Sequence, residues 1–436
     1  MCMYLQRLAL KNFKCFDEFN IEFHRNLTVI AGVNGSGKTS VLEGIALALS
    51  AMFTSMEGTK SRGIDKKHVR LKAYSFGTVS DVQAQYPVVL SASAEIDGNH
   101  IDWGRSLNTP KGLTTTGDAK PIISLGERFQ ERLRDGDATL ILPIIAYYGT
   151  GRLWDYHREK QNDIFASSTR TNGYINSVDG VASVKLMMNW FEKMTILNYQ
   201  NKESGQGRVL VLDAVLSAMN ECYRMITGLD DVKIQYNMGT RELDASFTDE
   251  DGNRMRIPIN QLSDGYKSTI SLVADIAYRM AVLNPQLMGD VCKLTDGIVL
   301  IDEVDLHLHP SWQQRILEDL TTLFPKVQFI VTTHAPAVLN TIRSENLVLL
   351  EECKAFYPAG EVYGRDVNTI LRGTMQVNER PEVIVSMFAQ FHDALSRLEF
   401  DKAEKILDDI AKEINEDDAD LSACRLKLKL RKLRGN

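Results

Sequence analysis

The chain has little cysteine, and what it has is dispersed. Cys2, Cys15, Cys222, Cys292, Cys353 and Cys424 form no C-x-x-C pair and no tight cluster. That spacing argues against a disulfide scaffold or a zinc ribbon and reads as free thiols in a reducing compartment. Long apolar runs are also missing. The most apolar stretch, Ala138 to Tyr148, contains Pro143 and is too short to span a bilayer, so it reads as a buried strand. No leader pattern opens the chain, because Lys11, Lys14, Asp17 and Glu18 interrupt any apolar segment. A cytoplasmic protein with no membrane partner is the expectation. Excess positive charge is absent as well. A formal net charge of -7 argues against a surface that coats nucleic acid everywhere, while leaving room for a local basic patch. The sequence shows no internal repeat and no heptad run long enough for an extended coiled coil.

What is present is a pattern of alternating elements. Residues 4–30 read as two strands, with Leu8 and Leu10 alternating against polar neighbours and Asp17-Glu18 supplying the turn. Asn26 to Ile30 then runs apolar into a glycine, and Thr39 to Ala51 is rich in helix formers. Residues 55–81 read as loop-rich. Tyr86 to Ile101 reads as a hairpin turning at Asp97-Gly98, and 104–121 as a mobile surface loop. Leu212, Val215, Leu216, Met219 and Tyr223 share one helical face. So do Ile384, Met387, Phe388, Phe391, Leu395 and Leu398, followed by Ala403, Ile406, Leu407, Ile410 and Ile414. The last two sets predict a helical hairpin used for packing or for a partner.

Four elements carry chemistry. The first is Gly32-Val33-Asn34-Gly35-Ser36-Gly37-Lys38-Thr39, followed by Ser40, set between a strand and a helix. Backbone N–H groups of such a loop wrap phosphates, aided by the positive end of the following helix. Lys38 is placed for the β- and γ-phosphates and the Thr39 hydroxyl for Mg2+. The second is Gly297-Ile-Val-Leu-Ile-Asp302-Glu303, a buried strand ending in two carboxylates. Asp302 would hold Mg2+ through water, and Glu303 would polarise the attacking water. The third, Leu262-Ser263-Asp264-Gly265-Tyr266, precedes an apolar-periodic segment, Ile270 to Met280. Ser263 and Gly265 there form either an anion site or a simple helix cap. The fourth is Phe329-Ile-Val-Thr-Thr-His334, a strand delivering one histidine to its carboxyl end, within reach of a γ-phosphate.

The order of these four elements resembles the ABC-type ATPase superfamily: phosphate loop, LSDGY signature, LIDEVD strand end, TTH switch. Leu10-Lys-Asn-Phe13-Lys-Cys-Phe16, with Ile21 and Phe23, is similar to the opening strand of its RecF/SMC-related branch. Val304 stands where transporter subunits usually carry proline after the acidic pair, which speaks against that class. Pro143 to Trp154, Asp302 to Pro310 and Tyr363 to Asn368 resemble the PtuA family, ATPase subunits of Septu-type and retron-associated anti-phage systems.

The resemblance implies an α/β fold. An ABC-type head, with a mixed β-sheet and a parallel phosphate-loop sheet, would fill 1–350, with a helical insertion at about 155–230. A C-terminal helical region with a basic tail would fill 351–436. It further implies a head-to-head homodimer, or higher oligomer, sandwiching ATP and Mg2+. Each site would pair Gly32–Ser40, Asp302, Glu303 and His334 of one copy with Ser263 and Gly265 of the other. His309 stands where many relatives carry an aspartate, so communication between the paired sites is expected to differ. An HNH nuclease subunit (PtuB-like) is the implied partner, with DNA reached through the complex; a retron reverse transcriptase and its DNA or RNA product are further candidates. The alternative is a RecF/SMC-like DNA-repair ATPase with no dedicated nuclease.

Three features stay open at this level. Arg152 reads as a phosphate or trans-acting contact, or as an ordinary ion-pair partner, the second slightly favoured. His307-x-His309 lacks the carboxylate or cysteine that would complete a zinc site. Arg425, Lys427, Lys429, Arg431, Lys432 and Arg434 interleave with leucines, and read equally as a solvated tail or as a contact for phosphate or an acidic partner. Nothing after His334 provides a Toprim or HNH constellation, so no nuclease site is expected in this chain.

Overall fold

A computed structural model describes residues 3–76, 79–152, 169–180, 184–249, 252–358, 360–373 and 380–434. It divides into two compact units, Met1–Gly364 and Arg365–Asn436.

The first unit is built on three sheets and a separate hairpin. In chain order its strands are β1 (Met3–Phe13), β2 (Phe16–Glu22), β3 (Leu27–Gly32), β4 (Leu71–Phe76), β5 (Val79–Ala84), β6 (Val88–Ile96), β7 (Asn99–Leu107) and β8 (Ile144–Tyr148). They continue as β9 (Lys233–Asn237), β10 (Glu242–Thr248), β11 (Arg254–Pro258), β12 (Gly297–Ile301), β13 (Val327–Thr333), β14 (Leu347–Glu351) and β15 (Lys354–Phe356). Its helices of eight residues or more are α1 (Lys38–Leu49), α2 (Lys120–Arg134), α3 (Val184–Glu203), α4 (Leu210–Thr227), α5 (Asp264–Leu283) and α6 (Ile316–Leu323).

The core sheet has the order β15-β14-β3-β13-β12-β8, parallel throughout except for β15. β8, β12 and β13 are buried along their whole length, as strands covered on both faces must be; β8 and β12 are accordingly unbroken runs without charge, while β13 buries Gln328, Thr332 and Thr333 on hydrogen bonds. Because β3, β13 and β12 are neighbours in register, the residues that follow their carboxyl ends converge on one edge. A second, antiparallel sheet, β2-β1-β6-β7, alternates buried and exposed residues and packs its apolar side over α1.

α5 is joined to the core by a buried polar group. The Tyr148 hydroxyl donates to Asp275 Oδ2 at 2.7 Å, and Arg279 Nε donates to the same oxygen at 2.7 Å. The guanidinium also donates to the carbonyls of Gly173 and Ile175, at 2.8 and 3.0 Å. Arg279 and Asp275 are only 2% and 1% exposed, so the pair survives burial because its hydrogen bonds compensate the lost water. Tyr148 thereby ties the α5 helix to the strand next to β12.

Several sequence expectations are corrected here. The turn after β1 lies at Lys14-Cys15, not Asp17-Glu18: Phe13 and Phe16 face each other across it, and Lys14 takes a φ of 50°. Asp17 and Glu18 point to solvent from within β2, so residues 3–32 hold three strands rather than two. Within 55–81, β4 and the start of β5 form a hairpin arm; β4 is exposed on both faces, and so lacked the alternation that would have announced it. The expected loop at 104–121 shrinks to 108–119, because β7 runs on to Leu107. Arg105 is buried and donates to Leu47 O (2.7 Å) and Ser50 Oγ (3.0 Å) at the carboxyl end of α1. The three-stranded sheet β9–β11 had no sequence forecast at all.

The second unit contains α7 (Glu382–Ser396), α8 (Phe400–Glu413) and α9 (Ala419–Arg434). Phe391, Leu395, Ala403, Leu407, Ile410 and Leu421 form its core. The expected helical hairpin is therefore extended by a third long helix, and a short helix, Val367–Gly373, precedes all three. Leu398, assigned by periodicity to the apolar face, lies past the end of α7 at φ 61° and is exposed. The basic tail forms the third helix.

Candidate functional site

The loop Gly32–Thr39 leaves β3 at the sheet's carboxyl edge and enters α1. Gly37, at φ 102°, is the N-cap and makes no side-chain capping bond, so the first N–H groups of a twelve-residue helix are open at the loop. A side chain could not replace it: a Cβ would lie 2.6 Å from the Phe16 ring and 2.8 Å from Cys15 Sγ. Val33, Asn34, Gly35 and Thr39 are exposed, whereas Ser36 and Lys38 are buried. The Ser36 hydroxyl is buried without a hydrogen-bond partner. Lys38 Nζ donates to the carbonyls of Gly32 and Val33, at 2.9 and 3.1 Å, folding over the loop. Burial lowers its pKa, and the negative charges of Asp302, Glu303 and Asp305 partly oppose that.

The acidic strand end is held to this loop by hydroxyls. Thr39 Oγ1 donates to Asp302 Oδ2 at 2.8 Å, and Thr332 Oγ1 donates to Asp302 Oδ1 at 2.6 Å. The same Thr332 oxygen accepts the Glu303 N–H at 2.7 Å. Glu303 sits at φ 47°, a region costly for a residue with a side chain, and this bond pins it there. One hydroxyl thus fixes both members of the acidic pair. Thr333 Oγ1 in turn donates to Asp305 Oδ1 at 2.6 Å and accepts the Ala335 N–H at 3.0 Å, shaping the turn that carries His334. Burial first, then the charge of Lys38, holds His334 below the ordinary imidazole pKa, favouring its neutral form at neutral pH.

Thr332, Thr333 and Asp305 were not singled out from the sequence. Their only signal is adjacency, two threonines immediately before His334 and an acid three residues after Asp302. Thr332→Val keeps the shape and deletes the hydroxyl. Turnover should fall by roughly 10- to 100-fold, with stability reduced by about 1–2 kcal/mol and nucleotide affinity little changed. Thr332→Ser should restore most of the rate. Phosphate release and nucleotide titration measure both; an unaltered rate in the valine variant would remove Thr332 from this role.

The structure brings together Gly32–Ser40, Asp302, Glu303 and His334. It does not bring Ser263 and Gly265 to them by any hydrogen bond among the described residues. Ser263 is exposed at the N-cap of α5 but makes no side-chain capping bond, which weakens the simple-cap reading. Gly265 packs against the loop after the acidic pair: its Cβ position lies 2.7 Å from the His307 carbonyl oxygen and 3.2 Å from the Trp312 ring. Tyr266 meets Trp312 at 4.5 Å between centroids. His309 caps the short helix Pro310–Gln313, with Nδ1 2.8 Å from Ser311 Oγ. The Arg152 side chain, Leu153 and Trp154 lie outside the described residues.

Family comparisons fit this geometry. A model of the AAA domain matches residues 7–208, and a second AAA domain model, whose description adds "AbiEii toxin, Type IV TA system", matches residues 125–340. Together they span both the phosphate loop and the switch histidine. The chain is an ATPase with an AAA domain. The ATPase is 24% identical over 449 residues to the retron Vc95 probable ATPase of Vibrio cholerae serotype O1 biovar El Tor, covering 90% of this chain and 84% of that protein. It is 26% identical over 431 residues to the retron Ec83 probable ATPase of Escherichia coli, covering 86% and 76%. Septu protein PtuA of Bacillus mycoides (strain KBAB4) is 26% identical over 355 residues, 80% of this chain but 40% of that protein. Among the described residues, no helix of the ATPase is long and apolar enough to cross a membrane.

Proposed function

We propose that this ATPase is the regulatory subunit of an anti-phage defence complex, in which two copies close on two ATP molecules and control a separate HNH nuclease. The observation that carries the reading is the hydroxyl-linked group Thr39–Asp302–Thr332–Glu303, assembled beside an open phosphate loop in one chain, with no hydrogen bond from Ser263 or Gly265 to that group among the described residues. Its family resemblance to retron and Septu ATPases supplies the defence context and the expected nuclease.

In this reading the backbone N–H groups of Gly35, Gly37, Lys38 and Thr39, with the Lys38 ammonium, cradle the phosphates, while the Ser36 N–H donates to the Val33 carbonyl at 3.3 Å and shapes the loop. Thr39 and the 1%-exposed Asp302 are hard oxygen donors facing each other, which fits Mg2+; when bound, the cation would offset the negative charge of the phosphates. Glu303 orients and deprotonates the attacking water, and neutral His334 offers a hydrogen bond to the γ-phosphate. Ser263 and Gly265 of a second copy complete the site, so ATP occupancy reports on assembly. The controlled chemistry then belongs to the partner.

Expression of the tagged chain with its native gene neighbours tests the reading. An HNH protein should co-purify, and DNA cleavage by the complex should change with ATP. Purification with no nuclease, together with an ATP-dependent DNA clamp, would favour the RecF/SMC-like alternative.

A further inference from the structure

The α9 helix carries two apolar faces, and only one of them is used inside its own unit. Leu421, Cys424 and Leu428 turn inward and are buried in the three-helix core. Leu426, Leu430 and Leu433 follow spacings of four and three residues, so they align on one helical stripe, opposite the first. They are 58%, 51% and 70% exposed. At about 100° per residue, Arg425, Lys429 and Lys432 fall along one side of this stripe, and Lys427 and Arg431 along the other. Lys432 leans toward Glu404 of α8, at 2.6 Å, while Arg425, Lys427, Lys429 and Arg431 are exposed. The result is a leucine seam with basic margins on both sides.

We propose that this seam is a docking surface for a partner protein presenting an apolar helix or groove rimmed by carboxylates. Charge decides among occupants. A second copy of α9 would bring lysine and arginine against lysine and arginine in either orientation, so self-pairing is disfavoured. Nucleic acid would satisfy the basic margins but has no use for aligned leucines between them. A bilayer surface would accept both, yet three leucines in one line make a narrow seam rather than the broad apolar face that interfacial insertion uses. An acidic-rimmed helix matches both the seam and its margins. This surface does not depend on the nuclease assignment or on the ATP site.

The full-length chain can be titrated with three probes: a glutamate-flanked leucine-seam peptide of about three heptads, duplex DNA, and phosphatidylglycerol vesicles. The peptide should bind in a salt-sensitive manner. Joint substitution Leu426→Ala, Leu430→Ala and Leu433→Ala should weaken it roughly tenfold or more. Alanine preserves helix propensity, so the helix should persist, and unchanged helicity and ATP turnover would confirm intact folding. Lys427→Gln with Lys429→Gln, a second variant that leaves the seam intact, should weaken peptide binding and flatten its salt dependence. Peptide affinity unaffected by the leucine substitutions would overturn the proposal. So would strong binding of DNA or vesicles that depends on the basic residues alone, with no peptide binding.

Discussion

Replacing Glu303 by glutamine is expected to lower ATP turnover by roughly 10²-fold or more while leaving nucleotide affinity nearly intact. Glutamine keeps the size and the hydrogen-bonding reach but cannot take a proton from water. The surroundings should tolerate it, since the Glu303 backbone N–H, not its carboxylate, is what Thr332 holds. The variant should therefore bind ATP, complete the dimer and remain there, because hydrolysis is the step that releases it. Steady-state phosphate release, nucleotide titration and mass measurement with and without ATP would follow the three quantities separately. A turnover like that of the parent would take Glu303 out of its assigned role. A loss of affinity equal to the loss of rate would instead place it in binding.

Gly265→Ala is the second large effect, and it acts through geometry. The added methyl would meet the His307 carbonyl at 2.7 Å, a backbone group that cannot swing aside, and the Trp312 ring at 3.2 Å. The start of α5 must shift, carrying Ser263 with it. Turnover should drop by about 10²-fold, and ATP-driven dimerisation should be lost. The phosphate loop in the same chain is untouched, so weak nucleotide binding should persist. Stability should fall by about 1–3 kcal/mol, as for other overpacked sites. Turnover within about twofold of the parent would show that the signature turn does not act as proposed. Binding loss without any change in assembly would contradict it in a different way.

Much of the candidate site was legible because its parts are local. The glycine loop, the acidic strand end and the Thr-Thr-His segment each lie within a few residues, and each sits beside a strand whose apolar run is unmistakable. Parallel pairing of β3, β13 and β12 then brings them to one edge. The hydroxyl network was not legible. Thr332 acts only because its strand neighbours β12, a relation across 30 residues that no local pattern records. Tyr148 of β8 joins the Asp275–Arg279 pair of α5 in a buried group drawn from two distant segments, which read in sequence as an aromatic and two helix charges. Burial hides its own cause there. The turn at Lys14-Cys15 was missed because charged residues resemble turn residues even when they line the outer face of a strand. In α9 the density of basic residues hid a different feature, the apolar face of Leu421, Cys424 and Leu428 that packs inward.

The central claim is that each ATP site takes Lys38 from one copy and Ser263 from another. Mixing two inactive chains tests it most directly. Lys38→Ala should abolish turnover by removing phosphate contact, and Ser263→Arg by blocking the signature. Co-refolded or co-expressed in equal amounts, they form mixed dimers in which one site holds an intact Lys38 and an intact Ser263. Turnover should return to roughly a quarter of the parent value if pairing is random and sites act independently. A mixture as inactive as either variant alone, with mixed dimers shown to be present, would contradict the shared site.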